Sequence, residues 1–170
     1  MSISSPRYML DTNVFNRVLD NHLAVDDFRS VPLVTTHVQA DELRNTGTTA
    51  RKDALLAIFE EIAPEATPTR SAVFDVSRWD EACWSDEDGV FEKMLCRLKE
   101  LDDASIKKKK KKKPKEFNQE RDILMAETAM KNELTLVSND ENLRLVTTEF
   151  GGNAITLEGL SAKIRDPIAC

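Results

Sequence analysis

At 170 residues, with 41% hydrophobic and 32% charged residues and a formal net charge of −6, the chain is composed for one soluble globular domain with a buried core. No apolar run reaches the length that crosses a bilayer, and residues 1–10 lack the basic-then-apolar layout of a secretory signal, so no membrane partner and a cytoplasmic location are expected. Three cysteines (Cys83, Cys96, Cys170) without C-x-x-C spacing point to neither a disulfide framework nor a zinc site, and two histidines, His22 and His37, argue against histidine-based metal sites and a Ser-His-Asp triad.

Tyr8, Met9 and Leu10 form a short apolar stretch that stops at Asp11-Thr12-Asn13, after which Val14, Phe15, Val18 and Leu19 recur with helical spacing. That pattern predicts a buried strand feeding a helix, with an acid at the strand's carboxyl end. Residues 32–36 read as a second strand, followed by a helix carrying Val38, Asp41, Glu42 and Leu43. A helix over 50–62 presents Leu55, Leu56, Ile58, Phe59 and Ile62 as its apolar face and ends before Pro64 and Pro68. Residues 71–76 are read as a third strand. Residues 78–101 are read as helix, broken near 85–89. Residues 102–116 are read as a loop, because consecutive lysines repel at i, i+4 and Pro114 removes a backbone donor. A helix over 118–131 turns Ile123, Ala126, Ala129 and Met130 inward. Residues 134–137 form a strand ending at Ser138-Asn139-Asp140, 141–150 a helix, and 154–157 a last strand after Gly151-Gly152. Strands alternating with helices predict an α/β domain with a mostly parallel sheet and no internal repeat.

In open α/β sheets, ligands collect outside the carboxyl ends of the strands. Asp11 and Asp140 fall there, and Glu42 and Asp122 lie near the starts of helices that can face the same crevice. Each acid has an ordinary structural reading. Asp11 and Asp140 can cap the helices that follow them, Glu42 can be a solvated helix residue, and Asp122 can complement a helix dipole. Together they suggest a cluster that repels itself unless a cation neutralises it, and hard oxygen ligands of this kind suit Mg²⁺ or Mn²⁺. Such an ion activates water for attack on a phosphodiester without a catalytic histidine or serine.

Met9-Leu10-Asp11-Thr12-Asn13-Val14 resembles the opening motif of PIN-domain nucleases, an apolar strand ending in Asp-Thr-Asn or Asp-Ser-Asn. The segment from Arg121-Asp122-Ile123 to Ala129 resembles the later helix of that family. Leu136-Val137-Ser138-Asn139-Asp140-Glu141-Asn142-Leu143 resembles its Thr-Asn-Asp segment, with Ser138 for the usual Thr, and Glu42 matches the second acid in order and context. The resemblance covers residues 7–157. It implies a three-layer α/β fold with a central sheet of order 3-2-1-4-5 flanked by helices, as a single domain over 1–170 with a helical and basic insertion around 84–116. It also implies Asp11, Glu42, Asp122 and Asp140 as catalytic and metal-ligating residues for Mg²⁺ or Mn²⁺, with Thr12, Asn13, Ser138 and Asn142 as hydrogen-bonding partners. Many family members carry an acid where this chain has Asn142, so that ligand is weaker or absent here. The implied function is a metal-dependent endoribonuclease, the toxin of a toxin–antitoxin pair of the VapC-like kind, with RNA as substrate and a cognate antitoxin as partner. The alternatives are a PIN-type RNA-processing or DNA structure-specific nuclease, a non-catalytic nucleic-acid-binding module, and an aspartate-dependent phosphatase. The phosphatase would need a second acid at the position of Asn13.

Lys107, Lys108, Lys109, Lys110, Lys111, Lys112 and Lys113 form an unbroken run, with Lys115 beyond Pro114. They are candidates for gripping RNA phosphates, against the plain reading of a solvated loop. Glu100, Asp102 and Asp103 are expected to pair with the run in the free protein. Trp79 and Trp84 are read as packing residues, Cys83 and Cys96 as small buried hydrophobes. The apolar face of helix 50–62 is read as core, with a homodimer face or antitoxin groove as its alternative.

Overall fold

The computed structural model describes residues 6–20, 25–62, 65–73, 76, 88–109 and 116–165. Its centre is β1 (Tyr8–Leu10), which pairs in parallel with β2 (Leu33–Thr35) on one side and β4 (Thr135–Val137) on the other. The sheet is completed by β3 (Glu65–Ala66) beyond β2 and β5 (Asn153–Ile155) beyond β4, so five parallel strands run in the expected order 3-2-1-4-5. Successive side chains of a strand point to opposite faces, and these strands bury both. Tyr8, Leu10, Leu33 and Val137 enter one apolar core, while Met9, Val34 and Leu136 enter the other. Near-continuous apolar strands are what a sheet covered on both faces requires.

The helices form the outer two layers. On the Tyr8 and Leu10 side lie α1 (Thr12–Leu19), α3 (Thr49–Ile62) and α7 (Leu157–Arg165), which contribute Phe15, Leu55 and Leu160, with Phe28 from a short 3-10 helix, Val25–Phe28. On the Met9 side lie α4 (Val90–Lys109), α5 (Glu116–Lys131) and α6 (Glu141–Glu149), contributing Met94, Ile123 and Val146. The helix after β2, α2 (His37–Arg44), sends Val38 to one core and Leu43 to the other.

Four expectations need correction. The third strand is Glu65–Ala66, and none of the described residues of 71–76 forms a strand: Ser71 donates to Glu127 at 2.9 Å and the Arg70 amide to Thr128 at 3.1 Å, so α5 holds the start of this segment by polar bonds. A two-residue exposed edge strand carries no alternation to read. The predicted loop at 102–116 is helical through Lys109, and α5 begins at Glu116. Lysine is a good helix former and is favoured where the negative end of the helix dipole lies, which offsets the repulsion among neighbours. Helix α7 was not anticipated: Thr156 accepts the Gly159 amide at 3.0 Å as an N-cap, but Gly159 itself weakens the helical signal. Cys96 is exposed on α4 rather than buried. The readings on His22, Cys83, Trp79 and Trp84 lie outside the described residues, as do those on Lys110 to Lys113 and Lys115.

Gly152 marks the tightest turn. A Cβ there would lie 2.9 Å from Thr147 Cγ2, 3.1 Å from Met130 Cβ and 3.1 Å from the Thr147 carbonyl. The carbonyl belongs to a helix and the Met130 Cβ to another, so neither can give way freely. Gly152→Ala is expected to cost about 1–3 kcal/mol, the range for overpacking, measured as a lowered midpoint in thermal or urea denaturation, with Gly151→Ala a less informative control because its φ of 91° is itself strained for alanine.

Candidate active site

The chain turns one way from β1 to β2 and the other from β4 to β5, so the crevice of the sheet opens between the carboxyl ends of β1 and β4. Ligands of open α/β sheets gather at such a switch point. The ladder runs one residue past both strands: the Asp11 amide bonds the Val137 carbonyl at 2.9 Å and the Ser138 amide the Ile155 carbonyl at 3.0 Å. Asp11 and Ser138 are therefore held with sheet-like rigidity, 3% and 0% exposed.

Asp11 occupies the N-cap position of α1, yet its carboxylate makes no cap hydrogen bond. Its Oδ2 instead accepts from Ser138 Oγ at 2.5 Å and from Asn13 Nδ2 at 2.7 Å. The structural explanation for an Asp here, a helix cap, does not apply. Asp140 differs. Its Oδ1 does cap α6, accepting the Leu143 amide at 3.0 Å, and its own amide bonds Ser138 Oγ at 3.1 Å.

Glu42 reaches the crevice because of how α2 begins. Thr36 and Gln39 form a reciprocal capping box, and Gln39 Nε2 extends it by donating to the Leu10 carbonyl at 3.1 Å. Gln39 is fully buried. Residues three apart share a helix face, so anchoring Gln39 beside Leu10 turns Glu42 toward Asp11. Thr12 Oγ1 donates to Glu42 Oε2, and Arg121 Nη1 stands 3.9 Å from Oε1. Asp122, on α5, draws no hydrogen bond or ion pair from the described residues.

The electrostatics tie the four acids together. Burial first, then the charges of Glu42 and Asp140, push the Asp11 carboxyl up from 3.8 to about 6, although the Ser138 hydroxyl pulls it down. The Asn13 backbone N–H also pulls it down, by more than the Asp140 charge raises it. Burial raises Glu42, against the Thr12 bond and the Arg121 charge. Asp122 is held well above the ordinary carboxylate range by burial, then by Asp11, Glu42, Asp140 and Asp102.

From sequence Asp102 was expected only to pair with the lysine run, not to join the acids, and neither Gln119 nor Arg121 was given a role. Asp102 Oδ2 accepts from Gln119 Nε2 at 2.6 Å and Oδ1 from Asn142 Nδ2 at 2.8 Å. Asn142 is thus turned toward α4, bonding Asp102 and Ser105 rather than Asp11 or Asp140. Glu100 bonds Arg97 at 3.2 Å. Two of the three acids expected to pair with the lysine run therefore have other partners. The only sequence signal that could have flagged Asp102 is its place one helical face from the lysines, which the loop reading of 102–116 removed.

The donor set suits a hard divalent cation in kind: carboxylates only, with Asp11 buried, Glu42 and Asp122 half-buried and Asp140 exposed, and with burial the first cause that raises Asp11, Glu42 and Asp122. Among the described residues, no three acidic, imidazole or thiol groups are grouped closely enough to enclose an ion as they stand. The cleft is an acid-rich cluster, not a formed coordination sphere.

No protein-family model and no curated protein sequence matches the chain. Solved structures that it resembles include a VapBC2 complex from Rickettsia felis bound to a DNA fragment from its promoter, at 13% identity over 88% of this chain and 98% of that one, with a TM-score of 0.45. A VapBC-5 toxin–antitoxin structure from Mycobacterium tuberculosis aligns at 19% identity over 89% and 98%, TM-score 0.41, and FitAcB from Neisseria gonorrhoeae at 15% over 87% and 96%, TM-score 0.39. Likeness at this level carries no weight for the chemistry, which stands on the residues.

The raised carboxyls have a consequence for stability. A carboxyl whose folded-state pKa lies above its unfolded value stabilises the fold below the ordinary range, and that stability is lost as pH rises through the folded value. For Asp11 the window runs from about 4 to about 6, and a shift of about two units is worth at most about 3 kcal/mol. In chelator, the protein is expected to melt roughly 5–10 °C higher at pH 5 than at pH 7.5, and Asp11→Asn to flatten that slope. A midpoint that rises with pH across this window would contradict the clustering of the acids.

Proposed function

We propose that the chain is a PIN-type, metal-dependent endoribonuclease that hydrolyses RNA phosphodiester bonds, acting as the toxin of a toxin–antitoxin pair. The observation that carries the reading is Asp11, a buried acid at the switch point whose carboxylate is drawn off its helix cap and into a cluster with Glu42, Asp122 and Asp140. Such a group is costly to bury and makes no cap hydrogen bond to its helix, so a functional role accounts for it best.

On this reading Asp11, Glu42, Asp122 and Asp140 hold Mg²⁺ or Mn²⁺. Bound there, the cation supplies an activated water and neutralises charge on the scissile phosphate and leaving oxygen. The protein's own part is orientation. Ser138 and Asn13 fix the rotamer of Asp11, and Thr12 fixes Glu42, as the outer hydrogen-bonding groups of a metal site do. Asp140 caps α6 with Oδ1, which leaves Oδ2 for the ion. Arg121, beside Glu42, offers a guanidinium where a phosphate would enter. Asn13 bonds Asp11 directly, where an aspartate-dependent phosphatase would need a second acid.

The lysine run supports a nucleic-acid substrate. Helical rise places Lys107 about 8 Å beyond Asp102 along α4, and Asp102 adjoins the acids. Lys107, Lys108, Lys109, Lys110, Lys111, Lys112, Lys113 and Lys115 would then hold phosphates flanking a cleft that repels them. A cognate antitoxin that silences the enzyme belongs to the same proposal.

Purified protein incubated with cellular RNA is expected to cleave it with Mn²⁺ or Mg²⁺ and not with chelator. Asp11→Asn should abolish cleavage, and Ser138→Ala should reduce it about 10- to 100-fold. Absence of cleavage by a folded, metal-supplied protein would favour a DNA substrate or a non-catalytic binding module. Replacing the lysine run with Gly/Ser in an Asp11→Asn background is expected to weaken single-stranded RNA binding at low salt at least about 10-fold and to flatten its salt dependence. Fluorescence anisotropy across a salt series reads both, and an unchanged slope would remove the run from the RNA interface.

A further inference from the structure

Asp102 is a carboxylate held by two neutral amides, one from each of the two helices that also carry cleft acids. Gln119, 7% exposed, stands three residues before Asp122 on α5 and so shares its face. Asn142 lies in the first turn of α6, two residues after Asp140. One side chain from α4 thereby sets the spacing between the segments bearing Asp122 and Asp140. No Lys or Arg among the described residues pairs with it.

A clamp of this kind does not need a charge. An uncharged acceptor at 102 would receive an amide hydrogen just as well, without adding repulsion to a cluster that already contains four acids. Placing a further, half-buried negative group beside them is unfavourable unless a cation compensates it, and the charge of Asp102 adds, after those of Asp11, Glu42 and Asp140, to the repulsion on Asp122. Each oxygen of Asp102 accepts a single amide bond and keeps a lone pair in reserve.

We propose that Asp102 is the fifth carboxylate of the cation-binding cleft, a positioning residue whose negative charge raises the affinity for a divalent ion while its two amide bonds set the separation of Asp122 from Asp140. The inference rests on the reading of the cleft as a divalent-cation site.

The test is Mn²⁺ binding by isothermal titration calorimetry at pH 7.5, with a thermal melt of each protein. Asp102→Asn is expected to weaken Mn²⁺ binding about 10-fold or more. Asp103→Asn, the same change of charge at the next, exposed position of α4, should leave it within about 2-fold. Exchanging the pair, Asp102→Asn with Asn142→Asp, returns a carboxylate to the same amide contact and should restore affinity to within about 3-fold of wild type. Asn142→Asp alone should bind Mn²⁺ no more tightly than wild type, tighter binding meaning that an acid at 142 ligates on its own and overturning the role of Asp102; with that control the double variant also decides the matter if Asp102→Asn alone fails to fold. Wild-type affinity in Asp102→Asn, equal losses in Asp102→Asn and Asp103→Asn, or a folded exchange variant that no longer binds Mn²⁺ would each overturn the role of Asp102. Absence of Mn²⁺ binding by the wild-type protein would overturn the cleft reading itself, and Asp102 with it.

Discussion

The hydroxyl of Ser138 lies between two acids, donating to Asp11 at 2.5 Å and accepting the amide of Asp140 at 3.1 Å. The rest of the cleft depends on that arrangement. It joins the ends of β1 and β4, diverts Asp11 from the helix it would otherwise cap, and does so with a neutral donor. A lysine or arginine in the same place would have discharged the acid. A hydroxyl fixes its direction and leaves its charge, and a fixed, uncompensated charge is what a cation-binding or proton-handling site requires.

Such a site is unfavourable for folding, and the surrounding structure shows what offsets it. The capping box of α2 and the bond from Gln39 to the Leu10 carbonyl are fully paired and buried. The strands beneath contribute side chains to both apolar cores, the larger share of the stabilisation in a domain this size. Farther out, Glu127 is buried against Ser71 and Lys131, and Lys131 also meets Asp88. That network joins Ser71 and Asp88 to α5. Polar chemistry in this protein is thus of two kinds: paired networks that close the scaffold, and a carboxylate cluster to which, among the described residues, Arg121 alone brings a cation.

The sheet was largely legible from sequence, and the physical reason is periodicity. Strands buried on both faces appear as short apolar runs, and the alternation with helices specifies a parallel arrangement. Asp11 and Asp140 were legible for the same reason, since the end of a run marks the end of a strand. Glu65–Ala66 was not, because two exposed residues at an edge bury nothing and leave no pattern. Residues 71–76 have strand-like composition, but hydrogen bonds from Arg70 and Ser71 to α5 decide their path, and tertiary contacts of that kind are invisible to a local reading. Asp102 was missed through the lysines. Their mutual repulsion suggested a loop, whereas position within the helix matters as much as charge, and a C-terminal turn favours them. Asn142 was legible as a departure from the family pattern; that it turns to another helix was not.

The acids also straddle the seam between the two apolar cores. Asp11 leads into α1, whose buried residues belong to one core, and Asp122 comes from α5, which packs in the other, while α2 divides its apolar residues between them. No single helical layer carries the cluster. Partial opening of either layer, a local excursion well short of global unfolding, disperses the carboxylates. The cleft is therefore more fragile than either core: the opening of one layer ends its chemistry while amide protons beneath the other stay protected, and the constellation survives only as long as the two halves stay joined.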